Sequence, residues 1–267
     1  MKQKIFQVDA FTSKVFGGNP AAVCILPSWP TDELMQKIAN ENNLSETAFA
    51  VGVGEKYEIR WFTPEVEVDL CGHATLAAAF VLFNYYDAPG RQIEFFSSHS
   101  GALYVERVQE EGSGLMLTLD FPADPVKEIE IPELAIRGLK KTPLKAYKGK
   151  SDFMFVYASQ GDIEDLKPDF GLLARLGGRG VIVTSMGTEV DFVSRFFAPQ
   201  SGINEDPVTG SAHTTLTPYW ARVRGKKTLS ARQISARGGD LVCEVLGARV
   251  KISGVAVTYM VGEIELP

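Results

Sequence analysis

Apolar and polar positions change their period several times along the chain, and each change predicts an element. Residues Ile5–Phe11 read as a strand. The Gly-rich "FGGNP" at 16–20 reads as a loop before a short apolar strand, Ala21–Leu26. Thr31 followed by Asp32 and Glu33 predicts a helix start: a hydroxyl caps free amide groups, and acids suit the positive end of the helix dipole. That helix ends near Asn42-Asn43. A β-rich stretch, Glu46–Val53, and a strand, Tyr57–Phe62, follow. From Ala74 to Phe83 apolar residues cover the whole circumference of a helix that starts at His73. Such a helix must be buried on all sides, as at the centre of a sheet or barrel wrapped around it. Strands at Glu94–Phe96, Ala102–Val108 and Leu115–Phe121 complete the first half.

The plan then recurs. "RWFTP" at 60–64 is echoed by "RFFAP" at 195–199, a shift of 195 − 60 = 135. Cys71-Gly72-His73-Ala74 is echoed by Thr209-Gly210-Ser211-Ala212, at 209 − 71 = 138. "SSHSGALYVE" (97–106) is echoed by "SARGGDLVCE" (235–244), again at 138, so three residues are inserted between the first and second echoes. One shift holding over two separated blocks predicts two similar α/β halves, 1–115 and 116–267, with the C-terminal strand able to return to the first half. "LDFPADP" (119–125) is the strongest linker signal. The second half repeats the order: a strand at Asp152–Ala158, a helix near Asp169–Leu176, strands at Val181–Thr184 and Asp191–Phe197, a helix from Ser211, and terminal hairpins. Pro218 lies inside that last helix pattern and is expected to kink or shorten it.

Composition narrows the class. Of 267 residues, 45% are hydrophobic and 22% charged, the balance of a globular chain with a sizeable core. A net charge of −6 argues against a nucleic-acid partner. No apolar run approaches the roughly 20 residues of a membrane span. The apolar part of "MKQKIFQVDAF" is too short for a signal peptide. Three cysteines, 24, 71 and 243, form no CxxC pair and are odd in number, which favours a reduced, cytoplasmic setting over disulfides. His73, His99 and His213 show no metal-ligand spacing with them, so no metal is expected.

The chemistry concentrates where polar residues lead into apolar helices. A buried helix start presents free N–H groups and partial positive charge, and Gly72 allows a close approach to the backbone. That combination suits a carboxylate or other anion. The repeat supplies a second start at Gly210-Ser211. If the halves pack face to face, both starts converge on one cleft. Either glycine alone reads as ordinary capping and turn geometry; the pairing favours function.

"QVDAFTSKVFGGNPAAV" (7–23), "NLSETAF" (43–49), "DLCGHATLAAA" (69–79), "EDPVTGSAH" (205–213) and "SARGGDL" (235–241) together resemble the phenazine-biosynthesis PhzF-like family. The motifs span nearly the whole chain in the family's order. The resemblance implies the diaminopimelate-epimerase-like fold: α/β (α+β), two pseudo-symmetric halves, each a β-barrel-like sheet around a central helix. It implies a cofactor-independent isomerase related to trans-2,3-dihydro-3-hydroxyanthranilate isomerase, in which a Glu moves a proton between ring carbons. By motif, that Glu falls on Glu46, the active-site His on His73, the Asp on Asp206 and the Ser on Ser211. The substrate is then a small molecule, expected to carry a carboxylate, with Gly72, Gly210, Asn19, Cys71 and Thr209 as binding positions. A homodimer is implied by resemblance as well.

Related epimerases and racemases use two opposed cysteines. Here Cys71 keeps the first position but Thr209 holds the second, which disfavours that chemistry. A silent small-molecule-binding protein is the third reading. Each residue also has a plainer role: Glu46 as an exposed junction residue, His73 bonded to a carbonyl, Asp206-Pro207 as turn chemistry, Ser211 as a cap, Cys71 as a small buried hydrophobe. "GGRG" (177–180) reads as a helix-ending turn. The six Lys/Arg within 222–237 read as a solvated face that at most draws in an anion.

Overall fold

Strand pairing shows why the sequence repeats. The computed structural model describes residues 2–110 and 114–267; Met1 and residues 111–113, part of the first half expected from the sequence, lie outside the described residues. The chain forms two compact units, Met1–Asp120 with Ser253–Pro267, and Phe121–Ile252. In chain order the first part holds β1 (Lys2–Ala10), β2 (Asn19–Leu26), α1 (Asp32–Asn42), β3 (Glu46–Val53), β4 (Lys56–Phe62), β5 (Glu67–Val68), α2 (Gly72–Tyr85), β6 (Gln92–Ser97), β7 (Gly101–Glu110) and β8 (Gly114–Pro122). Then come β9 (Lys127–Ile129), α3 (Glu133–Leu139), β10 (Lys145–Lys148), β11 (Phe153–Val156), α4 (Gln160–Glu164), α5 (Phe170–Ala174), β12 (Val181–Met186) and β13 (Phe192–Ala198). A 3₁₀ turn (Pro199–Ser201), β14 (Ile203–Asp206), α6 (Gly210–Arg224), β15 (Thr228–Gln233), β16 (Gly239–Leu246) and β17 (Arg249–Glu265) end the chain.

In the first unit β1–β2 is antiparallel, β2–β3 parallel, β3–β4 antiparallel, β4–β6 parallel, and β6–β7 and β7–β8 antiparallel. β17 pairs with both β8 and β1, which closes these eight strands into a barrel. Closure leaves no open edge. α2 packs against β1, β2, β3 and β7, with every residue from His73 to Ala79 buried. No side of α2 can face water, so the barrel supplies the surroundings its composition demands.

The second unit repeats the pattern term by term: β10–β11 antiparallel, β11–β12 parallel, β12–β13 antiparallel, β13–β15 parallel, β15–β16 antiparallel. β9 adds to β10, and α6 packs on β15 and β16. Each unit is thus a curved sheet with its own helix, and the fold is the α+β class that the resemblance implied.

One ion pair is duplicated with the sheets. Arg60 on β4 grips Glu67 on β5 through Nε and Nη2, at 2.7 and 2.6 Å. Arg195 on β13 grips Glu205 on β14 through the same atoms, at 2.7 and 2.9 Å. The arginines are offset by 195 − 60 = 135 and the glutamates by 205 − 67 = 138. The three-residue 3₁₀ turn Pro199–Ser201 lies in that interval and accounts for the inserted residues.

Pro218 neither ends nor shortens α6, which runs through it to Arg224. A proline removes the N–H that would bond the carbonyl four residues back. Here that carbonyl, on Thr214, accepts instead from the backbone N–H of Asp124 at 3.1 Å. The freed acceptor is satisfied from outside the helix.

Breaking the two forks has unequal effects. Arg195 is the more buried arginine and also donates to the carbonyls of Ile163 and Leu166, whereas Arg60's third partner is the exposed Asp32. Arg195→Met lowers unfolding stability by about 3 kcal/mol, and Arg60→Met by about 1 kcal/mol, in urea titrations followed by circular dichroism.

Candidate functional site

The first polar cluster forms where three chain segments meet at the start of α2. The β1–β2 hairpin brings Asn19 opposite Ala10. Gly18 makes that turn with φ +60, and a Cβ there would sit 2.1 Å from the Ala10 carbonyl oxygen, so only glycine fits. Glu46 opens β3, beside Ala21 of β2. Cys71 is the N-cap of α2, with no side-chain cap bond, and Gly72 and His73 follow.

His73 is the hub. Its Nε2 lies 3.2 Å from Glu46 Oε2, and its Nδ1 lies 3.3 Å from Asn19 Nδ2 and 3.4 Å from Cys71 Sγ. The Nε2 contact has the distance of a hydrogen bond without its alignment. Nδ1 thus faces the Asn19 amide and the Cys71 thiol, while Nε2 faces Glu46. Asn19 is fully buried, His73 and Cys71 nearly so, and the Glu46 side chain is 13% exposed. Burial pulls the His73 pKa down to about 3, against a smaller upward push from a bond to the Pro20 backbone. The imidazole is therefore neutral near pH 7, able to relay or donate one proton without adding charge.

The linear sequence shows no metal-ligand spacing, yet Glu46, Cys71 and His73 offer ligand atoms that all lie within 4.8 Å of one another. A thiol, an imidazole and a carboxylate form a donor set that a zinc-like cation accepts.

The second cluster surrounds the start of α6 in the other unit. Thr209 is the N-cap, not Ser211, which lies inside the helix. The Thr209 hydroxyl donates to Asp206 Oδ2 and accepts from Gln233 Nε2 at 3.1 Å. Its single proton is thus committed to Asp206. Gln233, wholly buried on β15, also accepts from Thr209 N at 2.8 Å and donates to the Asp206 carbonyl at 2.7 Å. Ser235 Oγ donates to the Pro207 carbonyl at 2.7 Å. These bonds fix the loop that carries Asp206, Thr209, Gly210 and Ser211. Arg179 reaches Ser211 from the glycine turn: Nε donates to Asp152 Oδ1 at 3.0 Å, Nη2 to Asp152 Oδ2, and Nη1 to Ser211 Oγ at 2.9 Å. Burial pulls the Arg179 pKa down, but its bonds to Asp152 outweigh this and the net shift is upward.

All nine positions expected from the motifs therefore fall at a helix start. Asn19, Glu46, Cys71, Gly72 and His73 gather at α2, and Asp206, Thr209, Gly210 and Ser211 gather at α6. Asp152, Arg179 and Gln233 were not anticipated. The turn in "GGRG" is real, with Gly177 and Gly178 at positive φ, but its arginine is a clamp. Among the six basic residues in 222–237, Arg224 and Lys226 engage Asp191, and Arg232 engages Glu189 and Asp240.

A closed eight-stranded barrel around an apolar helix, followed by a second sheet of the same pairing order, is the fold of the epimerase-like isomerases. A hydroxyproline epimerase from Agrobacterium vitis shares it, with a TM-score of 0.64 at 11% identity over 98% of this chain and 92% of that one. The match to the family model of phenazine biosynthesis-like proteins (PhzC-PhzF) covers residues 8–262, and the chain belongs to this family. An uncharacterized isomerase of Pseudomonas aeruginosa is 52% identical over the full length of both chains. One of Halalkalibacterium halodurans is 44% identical over the full length of both. The crystal structure of a PhzF-family protein from Enterococcus faecalis covers both chains fully, with a TM-score of 0.95 and 49% identity. No helix among the described residues is long and apolar enough to cross a membrane.

Two outcomes follow from this geometry. Gln233→Leu leaves the buried Thr209 N–H without its acceptor and lowers stability by about 2 kcal/mol in urea titration. His73 and His213, whose pKa values burial depresses to about 3 and about 4, are neutral in the folded chain, while in the unfolded chain they gain protons near 6.5. Their contribution is complete above pH 6.5 and is lost as pH falls toward 4, by up to about 1.4 kcal/mol per pH unit for each histidine. His213→Gln removes one histidine's share of that slope when unfolding is measured from pH 7 to pH 4.5.

Proposed function

We propose that this chain is a cofactor-independent isomerase that moves a proton within a small, carboxylate-bearing substrate, with Glu46 as the general acid and base. The observation that carries it is the pairing of Glu46 with the neutral, buried His73 at the mouth of an apolar helix, 3.2 Å apart. A carboxylate can take a proton from carbon and return it elsewhere on the same molecule, provided solvent is held off and the group is close to the reacting atom. His73 supports this as a proton-bearing neighbour that stays uncharged. Asn19 and Cys71 hold the imidazole edge on the far side, and Gly72 leaves the helix start open to substrate oxygens. At the start of α6, Ser211 offers a hydroxyl to a carboxylate, Asp206 an acceptor for an N–H or O–H, and Thr209 and Gly210 shape the loop that carries them. The family's isomerases support the reaction class, and a Thr rather than a Cys at position 209 speaks against a two-thiol epimerase.

The test is solvent exchange. The wild type, incubated in D₂O with a panel of small unsaturated and aromatic-precursor carboxylates, incorporates deuterium at carbon as read by mass spectrometry. Glu46→Gln keeps the fold by circular dichroism and loses exchange by at least about 100-fold. Near-wild-type exchange in that variant removes Glu46 from the mechanism.

A further inference from the structure

We propose that the first barrel carries a second ligand site, at the opposite end of α2 from Glu46 and His73, which binds a small dianion between Arg91 and Arg107. This site is independent of the isomerase reading.

The strand pattern puts both arginines on the inward face. Alternate residues of a strand share a face. On β7 the buried row runs Leu103, Val105 and then Arg107. On β6 Arg91 precedes the buried Ile93 and Phe95, and on β8 Leu115 precedes the buried Leu117 and Leu119. Gln92 pairs with Glu106, and the next step of the ladder is a 2.7 Å bond from Arg107 N to the Arg91 carbonyl. The two arginines therefore stand opposite each other on one face. Like charges so placed repel unless something of opposite sign lies between them. In a chain of net charge −6, neither guanidinium has a carboxylate partner among the described residues.

Both arginines line a cavity of about 510 Å³, together with Phe83, Asn84 and Leu115. Small-molecule sites run from roughly 300 to 1,000 Å³. The Arg107 guanidinium lies over the Phe83 ring, 4.7 Å from its centre, so the stack uses its face and leaves its N–H edges to donate. Asn84 is held in place by Nδ2, which donates to the Phe80 carbonyl at 2.8 Å. Two forks that can only donate call for oxygen acceptors and two negative charges. Phe83 and Leu115 suit a short apolar body. Phosphate monoesters and dicarboxylates share that chemistry. Asn84 follows His73 by eleven residues, about 16 Å along the helix axis, so such a ligand does not touch the Glu46–His73 pair.

Phenyl phosphate and phthalate are the probes and phenol the neutral control, each titrated into the full chain by isothermal titration calorimetry. At least one dianion shows a saturable binding event, about 10-fold or more tighter than phenol, and its affinity falls as salt rises. Arg91→Gln and Arg107→Gln each weaken that event by about 10-fold, and the double variant abolishes it. Glu46→Gln retains it. Arg91→Glu supplies the acid that Arg107 lacks: it abolishes the event and raises the unfolding midpoint. Because Arg91 is exposed, its two variants carry the test even where Arg107→Gln fails to fold. The tighter probe identifies the ligand as phosphate ester or dicarboxylate. A wild type that binds neither dianion overturns the proposal, as does an isotherm that Arg91→Glu leaves unchanged or that Glu46→Gln abolishes. If the arginines serve only the carbonyls at the end of α2, both glutamine variants lose stability and no dianion binds the wild type, which overturns it as well.

Discussion

An α-helix without a polar face sets the terms for the first unit. From Ala74 to Leu82 nothing on α2 can tolerate water except its ends, so a sheet must surround it. Surrounding a cylinder requires the sheet to close, and closure is supplied by β17 joining β8 to β1. Once the barrel is shut, polar side chains near the helix have few places to be: they gather at its mouth. Glu46, His73, Cys71 and Asn19 sit together because four different constraints end there, namely a strand start, a helix start, a cap and a glycine-dependent hairpin.

The second unit keeps the pairing order and changes the chemistry. At the position of Glu46 in the pairing register stands Val181, since both open the strand that pairs in parallel with the one before it. The acid is thus confined to one repeat, and the Asp152–Arg179–Ser211 relay to the other. Duplication supplied two equivalent helix starts, and divergence placed an acid and an imidazole at one and the Arg179–Ser211 contact at the other. The repeated Arg–Glu forks, by contrast, serve the sheets and were retained in both.

Much of this was legible in the residues. The limits of β3 and the start of α1 at its Thr31 cap follow from local chemistry, and the repeat shift of 138 aligned the two helix starts directly. What escaped was tertiary. β5, β9, β10 and β14 have two to four residues each, too few to show a period. Arg179 and Asp152 are 27 residues apart with no local pattern linking them, and an arginine among glycines looks like any exposed turn. The shortening expected at Pro218 failed for the same reason: the donor that replaces its missing bond lies at Asp124, on a segment no helix rule would consult.

The return of β17 to β1 has a bearing on how the chain comes to exist. Registers run from Lys2 against Glu265 to Ala10 against Ala256, so the opening strand waits for residues made some 250 positions later. During synthesis the second unit, contiguous from Phe121 to Ile252, can assemble while the first is still a curled sheet with an exposed seam. The groups at positions 46 and 73 are then translated well before the strand that closes the barrel around them. Closure of the barrel is in this way tied to the strand furthest along the chain, and a chain truncated before residue 253 carries the acid and the imidazole but lacks the strand that joins β8 to β1.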